Sequence, residues 1–303
     1  MKALPLIALF AAAALVAACG DNASDDAAAA ASMPPPAETG TDRAPAESAD
    51  DAAAKLDAAI AADHRGADNR ARDQYRHPKE TLAFFGVEPG LTVVELYPGG
   101  GWYTEILAPL VGEDGRLIAA QFEPTAPPAY RPGVVTRYQE MLQQPAFANT
   151  EMVTLDDAGK LQGVADASAD VVLTFRNVHN WMMSEDFDAV LAEVERVLKP
   201  GGVFGVVEHR ADEGVDSAES ARRGYVPVSY VIERAEAAGL RLEDRAEINA
   251  NPKDTKDYPR GVWELPPTLA GGDAVREQRL AIGESDRMTL KFVKPADGAA
   301  PDA

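Results

Sequence analysis

Cysteine is almost missing. Cys19 is the only one in 303 residues, so no intrachain disulfide can staple the fold. An oxidising compartment would be tolerated but not used. Basic residues are scarce too: 29 Lys and Arg stand against 49 Asp and Glu, a net charge of −20, and they form no run. Affinity for nucleic acid rests on neutralising phosphates with Lys and Arg, so this balance argues against a nucleic-acid partner. Solubility is the plain reading of the acidity. The apolar run at residues 3–18 falls short of the ~20 residues that a spanning helix needs. There is no internal repeat. What the chain does hold is 46% hydrophobic residues, enough for one large core or two small ones.

The first 19 residues read as a leader. Lys2 gives a charged start, residues 3–18 an apolar stretch, and Cys19-Gly20 a small-residue cut site. Leu-Val-Ala-Ala-Cys at 15–19 resembles a bacterial lipobox, with Val16 where Leu is usual. That implies an exported protein held by a lipid on Cys19, on the periplasmic side of a membrane. Residues 20–51 are rich in Ala, Pro, Ser and acid and have no apolar periodicity. Such a segment cannot bury enough surface to offset its ordering entropy, and it reads as a disordered tether. The domain is then expected over 52–296, with a disordered tail at 297–303.

The domain is organised around residues 93–101, Val-Val-Glu-Leu-Tyr-Pro-Gly-Gly-Gly. Residues 92–96 form a short β-branched run that reads as a buried parallel strand. Gly99, Gly100 and Gly101 follow it, and a helix is expected from Trp102. Glycines there let the backbone approach a ligand closely, and the helix offers its N-terminal N–H groups. Strand, turn and helix make a cradle for a nucleotide-type cofactor.

Residues 115–122 read as a second strand, giving a right-handed parallel βαβ unit. Gln121 and Glu123 fall where a ribose-binding residue is expected, and Glu123 is the better acceptor. A strand at 151–155 is followed by Asp156, read toward an adenine amine, and Asp157, read as a turn cap. A strand at 170–175 runs into a polar and aromatic cluster, Arg176, Asn177, Val178, His179, Asn180 and Trp181. Ser184 is expected to cap an amphipathic helix that ends at Lys-Pro-Gly-Gly, 199–202. A strand at 203–207 then ends in Glu208 and His209. Closing strands are expected near 240–248 and 288–293, and further helices at 52–62, from Pro78 to a stop at Gly86, at 136–144 and at 227–238. Residues 63–76 look charged and irregular. His64 and His77 read as surface or capping residues. The insertion at 249–286 is long enough to be functional or disordered.

In this order the elements resemble a class I S-adenosylmethionine-dependent methyltransferase, over roughly residues 72–295. The stretch 93–101 matches the family's acid-ended strand and glycine turn, with Glu95 as the acid. Leu-Lys-Pro-Gly-Gly at 198–202 matches the turn before its fifth strand. More narrowly, 98–104 with 175–181 is similar to a bacterial group of exported, predicted methyltransferases. Two positions depart from the pattern: Tyr97 stands where the first glycine is usual, and Gln121 where the ribose acid is usual.

The resemblance implies a Rossmann-like α/β fold, a seven-stranded, mostly parallel sheet with helices on both faces. It also implies S-adenosylmethionine as cofactor and a small-molecule or envelope acceptor. The cofactor contacts expected are Glu95, Tyr97, Gly99, Gly100, Gly101, Glu123, Asp156 and Arg176. His179 is the expected base, because its unperturbed pKa lies near neutrality, and Asn177 and Asn180 would orient the acceptor. A non-catalytic binding protein on the same fold is the first alternative. The second is a metal enzyme using His179, Glu208 and His209, although no ligand spacing demands a metal.

Overall fold

The computed structural model describes residues 48–125 and 130–296. The leader, Cys19, nearly all of the tether and the tail from 297 lie outside the described residues. No helix among the described residues is long and apolar enough to cross a membrane.

Seven strands form one sheet: β1 (Thr92–Leu96), β2 (Arg116–Phe122), β3 (Thr150–Leu155), β4 (Ala169–Phe175), β5 (Leu198–His209), β6 (Arg241–Ala246) and β7 (Arg287–Val293). Their order is β3-β2-β1-β4-β5-β7-β6, with β7 antiparallel to both neighbours and the other pairings parallel. The Rossmann-like expectation holds. The connection order reverses between β1 and β4, and that switch point is where ligands bind in open α/β sheets.

Side-chain alternation sorts the strands onto two cores. Val94, Leu96, Ile118, Val172, Phe204 and Leu290 point one way, against helices α7 (Val178–Ser184), α8 (Phe187–Val197) and α10 (Val228–Ala237). Val93, Leu117, Val171, Leu173 and Val207 point the other way, against α1 (Ala49–Ala61), α4 (Pro78–Phe84) and α5 (Thr104–Val111). Two short helices, α2 (Ala67–Arg70) and α3 (Asp73–Arg76), join α1 to α4. The remaining helices are α6 (Arg131–Met141), α9 (Ser217–Arg222) and α11 (Asp273–Ile282). Gly205 in β5 makes room for this packing: a Cβ there would sit 2.7 Å from the Phe85 ring.

Several expectations shift. The first helix begins at Ala49, three residues before 52, because Ser48 caps it by accepting from the Asp51 N–H at 3.2 Å. The charged stretch 63–76 is not irregular but carries α2 and α3. Pro78 opens α4 as expected, and the helix lies on a face of the sheet. Ser184 does not cap α8. Asp186 stands at that N-cap, and the Ser184 hydroxyl bonds Asn180 O and the Asp186 carboxylate. Residues 199–202 do not close a helix either: α8 stops at Val197 and β5 takes them in through a register shift against β4. The insertion at 249–286 is built, with a 3-10 turn at Gly261–Glu264 and then α11.

Candidate active site at the carboxyl ends of the strands

A cavity of about 400 Å³ opens where β1, β4 and β5 end. Its floor is the glycine turn, one wall is the segment after β4, and the roof comes from α3 and the insertion.

The turn begins in strain. Tyr97, at the usual place of a glycine, has φ 49°, a left-handed conformation that is uncommon for a bulky residue. Its ring lies 5.6 Å from Phe122 and 5.5 Å from Trp181, and this packing holds it there. Gly99 (φ 58°) and Gly100 line the cavity, and a Cβ on either would meet nothing within 4 Å. Gly101 differs: a Cβ there would lie 2.5 Å from Met141 Cε, so this glycine serves the packing of α6.

Glu95 sits beneath the turn, 2% exposed. It accepts a 2.6 Å hydrogen bond from the Thr104 hydroxyl. Burial pushes its carboxyl up to about 7, against the opposing pull of that bond. Among the described residues it has no ion-pair partner, so a cation in the cavity would complete it. That observation, with the open edge at Gly99 and Gly100, fits a sulfonium-bearing nucleoside.

Gln121 does not replace the ribose acid. Its amide donates to Gly99 O at 3.0 Å and its Oε1 accepts from Phe122 N–H, so it ties the turn to β2. Glu123 lies outside the cavity lining and accepts from Thr125. Asp156 also lies outside it. Its carboxylate accepts from Ala158 N–H, Lys160 N–H and Gln162, closing its own turn, while Asp157 pairs with Arg131. Asp156, and not Asp157, thus closes the turn: an Asx turn consumes the acceptor that was assigned to an adenine.

After β4 the chain turns through Arg176 at φ 65°. Asn177 is buried and donates to Leu96 O, at 3.1 Å, and to Thr174 Oγ1, at 3.2 Å, so it pins the end of β1. Asn180 is exposed and lines the cavity. His179, 5% exposed, places Nδ1 3.1 Å from Glu208 Oε1. Glu208 is wholly buried and also accepts from the backbone N–H groups of Val178 at 2.6 Å and His209 at 2.7 Å. His209 is held neutral: burial pushes its pKa well down, and His179 and three arginines add to that. The ligand atoms of His179, Glu208 and His209 lie within 4.8 Å of one another. His64 bonds Glu105 O, and His77 occupies the N-cap position of α4, both away from the cavity.

Residues outside the expected set complete the lining. Arg72 and Arg76 enter from the α2–α3 segment, Trp263, Glu284 and Ser285 from the insertion. The sequence signals were the density of arginine between Arg65 and Arg76 in an otherwise acidic chain and the length of the insertion.

The family model described as a methyltransferase domain matches residues 98–206. None of the curated proteins matches the chain. Among solved structures, a SAM-dependent methyltransferase from Aquifex aeolicus is 16% identical with a TM-score of 0.51, over 74% of this chain and 93% of its own. The [4+2]-cyclase SpnF is 19% identical with a TM-score of 0.51, over 80% of this chain and 92% of its own. At these identities the likeness shows the fold. The domain match and the cavity together support a methyltransferase whose cofactor is S-adenosylmethionine.

Proposed function

We propose that the chain transfers a methyl group from S-adenosylmethionine to a small molecule or envelope component, with His179 as the base. The observation that carries this reading is the sharing of one cavity by the Glu95–Gly99 floor and the His179–Glu208 pair. The cofactor, when bound, supplies an electrophilic methyl group. Gly99 and Gly100 give it backbone access, and Glu95 balances its positive charge. Glu208, as acceptor, keeps the proton of His179 on Nδ1 and leaves Nε2 able to take one from the acceptor. Methyl transfer otherwise needs only alignment.

A metal-dependent reading rests on the His179, Glu208 and His209 cluster. It ranks lower, because the Glu208 oxygens already accept from Val178, His179 and His209 N–H groups and from His179 Nδ1. A binding protein without turnover rests on Tyr97 and Gln121. Export and a lipid on Cys19 rest on the leader alone, and globomycin-sensitive processing at Cys19 tests them.

The deciding experiment is calorimetric titration with S-adenosylmethionine and S-adenosylhomocysteine. Micromolar binding of both is expected. A folded protein that binds neither would overturn the cofactor, and stoichiometric zinc or manganese in the purified protein would promote the metal reading.

A further inference from the structure

The cavity has two poles of opposite charge. Glu95 forms the acidic one. At the other, four arginines surround a single acid. Arg72 Nε lies 2.7 Å from Glu284 Oε1, Arg76 Nε 3.2 Å and Arg287 Nη1 3.1 Å from Oε2. Arg176 lines the same cavity and interacts electrostatically with Glu284. Burial alone would raise the Glu284 carboxyl, yet Arg76, Arg287, Arg176 and Arg72 bring it down to about 2. It is therefore negatively charged, and more guanidinium groups crowd it than one carboxylate can pair with.

The centre of that cluster is buried, while Arg72 and Arg176 are half-buried. Arg76 is 1% exposed and stacks 4.5 Å over the Trp102 ring, but its two Nη atoms have no hydrogen-bond partner. Arg72 Nη2 is in the same state. Buried guanidinium donors left unmade are costly, and an anion is the ligand that completes them, in the forked geometry suited to carboxylate and phosphate. Burial and the neighbouring Arg176 pull the Arg76 pKa well down, which reports the same crowding.

We infer that the methyl acceptor is an anion, a carboxylate or a phosphate, held by Arg72, Arg76 and Arg176 beside His179. This rests on the methyltransferase reading and names the substrate class of that site. The two poles divide the labour: the cationic cofactor end belongs with Glu95 and the anionic acceptor with the arginines. Placing the acceptor there sets its reactive atom near the proposed base.

The test titrates the full-length protein with inorganic phosphate and with succinate, each with and without saturating S-adenosylhomocysteine, which is also titrated alone. One anion is expected to bind with the nucleoside present, and which of the two binds tells phosphate from carboxylate. Arg76→Gln removes the central guanidinium, and Arg72→Gln and Arg176→Gln keep the test open if that variant does not fold. Each should weaken anion binding about tenfold or more, and in Arg76→Gln and Arg72→Gln nucleoside affinity should stay within about threefold. Three results overturn the inference. The first is a folded protein that binds neither anion. The second is competition between the anion and S-adenosylhomocysteine, with Arg176→Gln losing both, which would assign the arginines to the cofactor's own carboxylate. Anion binding with no nucleoside binding would remove the methyltransferase reading itself and leave a plain anion receptor.

Discussion

His179 Nδ1 and Glu208 Oε1 stand 3.1 Å apart with both side chains buried, across the ends of β4 and β5. A carboxylate in that place orients an imidazole and fixes its tautomer. His179→Ala should lower methyl transfer into an envelope extract by about 10²–10⁴-fold, the span of a lost general base. S-adenosylhomocysteine affinity should stay within about threefold, since the proposed cofactor contacts lie on the glycine turn. Transfer at the wild-type rate would remove His179 as the base.

The sheet was legible because burial writes itself into short β-branched runs, as in Thr92–Leu96 and Ala169–Phe175. The glycine turn was legible for the same local reason. The arginine pole was not. Arg76 and Glu284 are 208 positions apart and meet only after α3 and the insertion fold over the same strand ends. Nor could residue type tell an Asp156 that closes its own turn from one that faces a ligand. Gln121 shows the same limit: its position in β2 was readable, but its bond back to Gly99 O was not.

Glu95 should make cofactor binding sensitive to pH. Its carboxyl is raised to about 7 in the folded protein, so it is largely protonated below that pH. A cation beside it favours the charged form, and S-adenosylmethionine affinity should therefore fall as pH drops from about 8 to 6. The neutral sulfur of S-adenosylhomocysteine should respond less, and Glu95→Gln should flatten the difference. The same shift acts on stability in the opposite direction. A raised carboxyl costs nothing below the unfolded pKa, and the cost grows as pH rises through about 7, to roughly 3 kcal/mol. Calorimetry at several pH values reads both effects, and equal pH slopes for the two nucleosides would sink the assignment of Glu95 to the positive charge.

Gly99 separates backbone strain from ligand access. A Cβ there meets no neighbour within 4 Å, but φ is 58°. Gly99→Val should keep the fold, at a strain of about 1–3 kcal/mol, and lose nucleoside binding because the side chain fills the approach to the turn. Binding as tight as wild type, with unchanged circular dichroism, would show that the turn does not cradle the cofactor.

Gly205 offers a test of the packing between the sheet and α4. A Cβ there would lie 2.7 Å from Leu173 Cδ2 and from the Phe85 ring, both in the core facing α4 and α5. Neither neighbour is the free end of a flexible surface chain, so the backbone or the ring must move. Overpacking of this kind typically costs about 1–3 kcal/mol, and Gly205→Ala should lower the thermal midpoint accordingly. Phe85→Leu on its own should also destabilise, by leaving part of the ring's space empty. The two changes share one volume and should not add: the double variant should be more stable than the sum of the single losses predicts. Additive losses would mean that Gly205→Ala acts through the strand itself, and that Phe85 is not what requires a glycine in β5.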